Sequence, residues 1–215
     1  MRLAIDTSGV EQAVALLDGT RLVGVADWIR SREDPPVLER LQAVLRDAGA
    51  SPEDLEAVAA ARGPGSFTGL RVGLALAAGI AYARHVPLYL LDSLPLLARR
   101  SRPDPASIAI RDAGHAEVYA WREGDEVRRF PVEALAGWLP ASGRIMVEPA
   151  GKLAAWSPVH ASLEVPLAER VPASEALGTG AIEAFDFAKP VRYDEVQALY
   201  VQPAAAEERK RKAPS

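Results

Sequence analysis

Three aspartates, Asp6, Asp92 and Asp112, each close an apolar run that reads as a strand. Carboxylates at strand ends can meet a phosphate-bound metal, and they can equally cap the turns that follow them. A second candidate is Gly63-Pro64-Gly65-Ser66-Phe67-Thr68-Gly69-Leu70-Arg71, which lies between the apolar runs Leu55–Ala61 and Leu70–Ala83. The order is strand, glycine turn, helix. Ser66 or Thr68 can cap that helix, and its free N–H groups suit an anion. The turn has no lysine, so it is not the phosphate loop G-x-x-x-x-G-K-[ST], and its glycines are not spaced G-x-G-x-x-G. Ser66 follows Pro64-Gly65, which is not the G-x-S-x-G elbow of a serine hydrolase, and no base stands near it in sequence. A structural turn and a weak anion cradle drawing on Gly65, Ser66 and Thr68 both stay open. Glu117 and Tyr119 read as alternating positions of one strand.

Bulk composition narrows the chemistry further. The chain has 215 residues, enough for one full domain or two small lobes, and is 49% hydrophobic and 25% charged. A net charge of −4 gives no global attraction to nucleic acid or to an acidic membrane. With no cysteine and three isolated histidines (His85, His115, His160), neither a disulfide nor a protein-built transition-metal site is expected. The chain opens as a strand, without the look of a signal peptide, and the uncharged run Val72–Ala83 is too short to cross a bilayer. A cytoplasmic protein is expected.

The elements that must position these residues follow from periodicity. Strands over 3–5, 13–17 and 22–28 form an antiparallel meander, with Asp18-Gly19 as a hairpin turn. The first helix takes Asp34 as cap, Pro35 in its first turn and Gly49 just past its end. Val37, Leu38, Leu41, Val44, Leu45 and Ala48 share one side of it. The strand Leu55–Ala61, the helix from Leu70 and the strand Leu88–Leu91 complete βββαβαβ, a mixed sheet carrying helices.

The second helix is apolar nearly all round. Gly69, Gly73, Ala77 and Ala81 recur every fourth residue as a stripe almost without side chains. Such a helix is expected to be buried on more than one side, either inside the monomer or as an interface shared with the first helix. The charged, proline-bearing link Arg99–Pro105 is read as the boundary of a first lobe, residues 1–100. A second lobe, 101–206, repeats the strand–turn–strand opening in weaker form. It has strands near 107–110, 117–121, 127–132 and 144–147, a short helix at 133–138, and a longer helix from Ser174 to Ala188. Val196–Val201 is read as extended and 207–215 as a disordered basic tail.

Three stretches carry a resemblance. Ala4-Ile5-Asp6-Thr7-Ser8, Arg62–Gly73 and Asp112–Tyr119, with the late Leu199-Tyr200-Val201, resemble the bacterial TsaB (YeaZ) family over nearly the whole chain. That resemblance implies an α/β protein of the actin-like ATPase (sugar kinase/Hsp70/actin, RNase H-like) fold, in two lobes with mixed βββαβα sheets. It implies a non-catalytic subunit that pairs with the catalytic TsaD and works with the ATPase TsaE. Their product is N6-threonylcarbamoyladenosine (t6A) at position 37 of tRNAs that read codons beginning with A, so tRNA is met through the complex. It also implies a homodimer, when the chain is alone, through the two first-lobe helices. On this reading Leu38, Leu41, Leu45, Leu70, Gly73, Leu74, Ala77 and Ala81 are the partner interface. TsaD-type chemistry needs a histidine pair on the first helix, and 32–45 contains none. Many family members keep one histidine at its start, where this chain has Asp34-Pro35-Pro36. Asp6-Thr7-Ser8 resembles the first phosphate motif of actin-like ATPases, but the second half offers no glycine pair to grip adenosine. No catalytic residue, no metal and no tightly bound cofactor are therefore expected, with ATP or ADP held only weakly or at the TsaD complex. The alternative is a free-standing actin-fold phosphotransferase using Asp6 and Asp112, and a glycoprotease is a third reading.

Overall fold

The computed structural model describes residues 1–31, 33, 35–148 and 164–201. Its first sheet is built from β1 (Arg2–Asp6), β2 (Glu11–Asp18), β3 (Arg21–Ile29), β4 (Ala57–Gly63) and β5 (Leu88–Asp92), in the order β3-β2-β1-β4-β5. β1 runs antiparallel to β2 and parallel to β4, so the opening meander feeds a crossover as expected. The crossover is α1 (Val37–Asp47), and α2 (Phe67–Arg84) links β4 to β5. Alternate residues of the strands face opposite ways, which creates two cores. Leu3, Ile5, Val14, Leu16, Val58 and Leu88 pack under α1 and α2. Ala4, Ala13, Ala15, Ala59 and Ala61 present small side chains to the other face.

Among the described residues the second sheet repeats the first with one strand fewer. β6 (Ile108–Gly114), β7 (Glu117–Arg122), β8 (Arg128–Pro131) and β9 (Ile145–Val147) are ordered β8-β7-β6-β9. Leu135 of α4 (Val132–Trp138) covers one face beside Ile108, Ile110, Val118 and Val147. The other face meets α3 (Ser93–Ala98), a six-residue helix between the lobes. Leu94 and Leu97 of α3 pack toward the second sheet, and its Leu96 packs toward the first.

Several expectations need correction. α5 (Ala173–Phe187) belongs by sequence to the second half, yet Leu177, Ala181 and Ala184 lie against the alanine face of the first sheet. Gly178 lets it approach Leu22, at 3.2 Å from where a Cβ would sit. Asp27 of β3 fixes its start by accepting from Ser174 N–H at 2.8 Å and from the Ser174 hydroxyl at 2.5 Å. Residue 100 is therefore no packing boundary. The arginines of the supposed linker are struts: Arg99 holds Glu183 with both amino groups, Arg100 pairs with Glu11, and Arg102 with Glu175. Pro36, not Asp34, is the N-cap of α1, without a side-chain hydrogen bond, and Asp34 lies outside the described residues. Residues 196–201, read as extended, join neither sheet: Val196 has extended backbone, and Leu199 N–H donates to the distant Arg62 C=O at 2.6 Å. The tail, 207–215, also lies outside the described residues.

Candidate functional site

The site grows from two turns that pack on each other. β1 carries the chain through apolar Ile5 and delivers Asp6, Thr7 and Ser8 into a buried turn. Asp6 Oδ1 accepts from Ser8 N–H at 2.8 Å and from the Ser8 hydroxyl at 2.6 Å. Thr7 Oγ1 donates to Gly69 C=O at 2.7 Å, and Gln12 Nε2 donates to Thr7 C=O at 3.2 Å. These groups satisfy one another, as buried polar groups must.

The glycine turn closes over them. Ser66 N–H donates to Ser8 C=O at 2.7 Å. Ser66 is the N-cap of α2, its hydroxyl accepting from Gly69 N–H at 3.2 Å, while Arg30 donates to the same oxygen. A Cβ on Gly69 would stand 2.1 Å from Thr7 C=O, and one on Gly73 would stand 2.2 Å from Thr7 Oγ1. The small-residue stripe thus seats α2 on the β1 turn within the chain. Close backbone approach is the use to which these glycines are put.

The second lobe contributes a cation. Arg111, midway along β6 and one residue past its pairing with β9, is buried, and its Nη1 donates to Ser8 Oγ at 2.8 Å and to Pro64 C=O at 3.0 Å. Its Nε lies 3.2 Å from Glu148 Oε2, a contact of opposite charges at an angle that does not make a hydrogen bond. Glu148, just beyond β9, is equally buried, and its Oε1 accepts from Val10 N–H at 3.0 Å. A cleft of about 420 Å³ opens beside the pair, lined by Arg111 and Glu148 themselves with Arg30, Ser66, Asp112 and Tyr119.

Of the six residues read as an anion cradle, Asp6, Thr7 and Ser8 have their polar side-chain groups committed internally. Gly65 packs on Ser8, Ser66 is the helix cap, and Thr68 is exposed. The other aspartates are engaged locally too. Asp92 pairs with Arg62 at 2.6 Å, and Asp112 accepts from Gly114 N–H at 2.7 Å in its own turn. Among the described residues no group of three His, Asp or Glu could hold a metal.

These features can be set beside known proteins. The family model described as TsaD, tRNA N6-adenosine threonylcarbamoyltransferase, matches residues 36–142. The tRNA threonylcarbamoyladenosine biosynthesis protein TsaB of Bacillus subtilis is 33% identical over 119 residues, covering 54% of this chain and 52% of that protein. An uncharacterized protein of Mycobacterium bovis is 35% identical over 171 residues, 75% of this chain and 74% of its own length. The crystal structure of an uncharacterized Pseudomonas aeruginosa protein with similarity to peptidase YeaZ superposes with a TM-score of 0.74 at 25% identity. That likeness spans 94% of this chain and 99% of the other.

The chain belongs to the TsaB family. It spans about half the length of the curated TsaB relatives it matches. The likeness to the YeaZ-type structure extends over both lobes. Within this TsaB-family fold, the interface residues assigned from sequence need correction. Leu41, Leu45, Leu70, Leu74, Ala77 and Ala81 are core residues of the chain, and Gly73 faces Thr7. Only Leu38, 46% exposed, stays on the surface. Within the chain α2 is covered on two sides, by the first sheet and by the segment carrying Tyr193, Val196 and Ala198, and a third side stays open. Phe67, Val72, Ala75, Gly79, Tyr82 and Ala83 form its open side. Sequence reasoning missed Arg111, Glu148 and Arg30. The available signal for the first two was a charge directly after each of two buried strands, Ile108-Ala109-Ile110 and Ile145-Met146-Val147.

Proposed function

We propose that this chain is the non-catalytic subunit of a tRNA threonylcarbamoyl transfer complex. It pairs with a TsaD-type catalytic subunit and supports formation of t6A at position 37 of tRNAs reading codons that begin with A. The observation that carries this reading is the outer face of α2. Val72 is 45% exposed, Phe67 49% and Tyr82 65%, with Ala75 and Gly79 leaving a shallow strip between them. An apolar face that a monomer leaves to water favours a protein partner. Arg71 stacks on Phe67 with its guanidinium 3.8 Å from the ring centroid, so even the charge nearest the strip is laid along it.

The same face and the β1 turn support the remaining steps. Alone, the chain closes the α2 strip against a second copy, and TsaD displaces that copy. TsaE joins the pair, tRNA is met through the complex, and the chain works in the cytoplasm. No helix among the described residues is long and apolar enough to cross a membrane. Nucleotide is held weakly or at the TsaD complex, because the donors of Asp6-Thr7-Ser8 are spent on neighbours.

The test is to mix the purified chain with its TsaD counterpart and rebuild the modification in vitro. Val72→Asp is expected to weaken the pair by about tenfold or more, the equivalent of about 1.4 kcal/mol, and to lower t6A formation in step. A chain that neither co-purifies with TsaD nor is needed for the modification would end this reading.

A further inference from the structure

The buried ion pair at the lobe junction has no part in the proposed partner face, and its geometry is directional. We infer that Arg111 and Glu148 form a built-in latch: the second lobe's guanidinium fills the seat between the Ser8 turn and the glycine turn, fixing the start of α2 from across the cleft. The side-chain hydrogen bonds of the pair end on the first lobe. Arg111 reaches Ser8 Oγ and Pro64 C=O, and Glu148 takes the Val10 N–H. The chain is shaped to admit them. A Cβ on Gly9 would meet Glu148 Oε1 at 2.0 Å and Arg111 Nη2 at 2.9 Å, while one on Gly65 would stand 3.0 Å from Arg111 Nη1.

Stability alone does not call for charges here, because an apolar replacement of a buried pair is often neutral or better. Orientation does call for them. The Pro64 carbonyl lies two residues before the N-cap of α2, and Ser8 C=O holds the Ser66 N–H, so Arg111 bonds to both walls of the turn that launches the helix. The latch also puts a permanent cation where an anion would meet these turns, with Glu148 beside it to balance the charge.

The latch is independent of any partner and is tested on the full chain alone. Hydrogen exchange is compared among wild type, Arg111→Met and the charge-free double variant Arg111→Met with Glu148→Met. The double variant is expected to stay folded, since no buried charge is left unpaired. In it, exchange at residues 65–70 is expected to quicken by about tenfold or more, while β2 and α5 keep their protection. Unchanged protection at 65–70, or a uniform loss over both lobes, would overturn the latch. Inorganic pyrophosphate is the second probe, read by thermal unfolding. Wild type is expected to show no shift with it. A wild-type rise in melting temperature that Arg111→Met abolishes would make Arg111 an anion ligand and overturn the internal role.

Discussion

The two lobes place the same backbone at corresponding positions of their two sheets and follow it with opposite charges. Leu3-Ala4-Ile5-Asp6 and Ile108-Ala109-Ile110-Arg111 are both central strands, each antiparallel to the strand that follows and parallel to a crossover strand. Ile5 sits beside Val14 and Ala60, and Ile110 beside Ala120 and Val147. One step on, the first lobe has a carboxylate and the second a guanidinium. The partner of Asp6 in this pseudo-repeat is thus Arg111, not Asp112. A phosphotransferase reading that pairs Asp6 with Asp112 loses its symmetry. In place of two acidic strand ends around a metal, the junction holds one acid that orders its own turn and one base that crosses to reach it.

The sharpest way to break this comparison is to leave one member of the buried pair alone. Arg111→Met strands Glu148 without a counter-charge, and the expected loss is about 3–5 kcal/mol by chemical denaturation. Adding Glu148→Met should restore most of it, because the uncompensated charge then disappears. If the single variant unfolds like wild type, Glu148 has found water or another partner, and the two lobes differ less than their charges suggest.

Much of the first lobe was legible in the sequence. Alternation, the Asp18-Gly19 turn and the helical spacing of 37–48 are local signals, and each element formed near its expected place. The glycine turn and its Ser66 cap were also local. What could not be read was which faces meet. The stripe from Gly69 to Ala81 announces close packing but not its target, and the target proved to be Thr7, far back along the chain by way of three strands and a helix. The assignment of Leu41, Leu70 and Ala77 to a partner failed for the same reason: apolar spacing marks a buried face without saying whether the chain itself buries it. α5 was found as a helix but credited to the wrong lobe, since nothing in Leu177 or Ala181 tells which sheet it returns to. Arg111 was passed over because a lone charge in a strand has no period, and its meaning depends on Glu148, just past the neighbouring strand β9.

A second comparison lies within α2, where glycines on opposite faces separate packing from docking. Gly69 abuts Thr7 C=O, and an alanine there must move backbone. Overpacking of this kind costs about 1–3 kcal/mol, and better helix propensity returns about 1, so Gly69→Ala is expected to lower stability by up to about 2 kcal/mol. At Gly79 an added Cβ would meet nothing from another element within 4 Å. There the propensity gain stands alone, and Gly79→Ala should stabilise the isolated chain by about 0.5–1 kcal/mol. The same methyl stands on the open strip beside Val72 and Ala75, so its effect on a bound partner carries the opposite information. If Gly79→Ala raises the melting temperature of the chain yet weakens its complex with TsaD, the outer face of α2 is a close-packed interface whose glycine is kept for contact. A gain in both would mean that the partner does not approach α2 closely at residue 79, and the docking face would have to centre on Phe67 and Val72 instead.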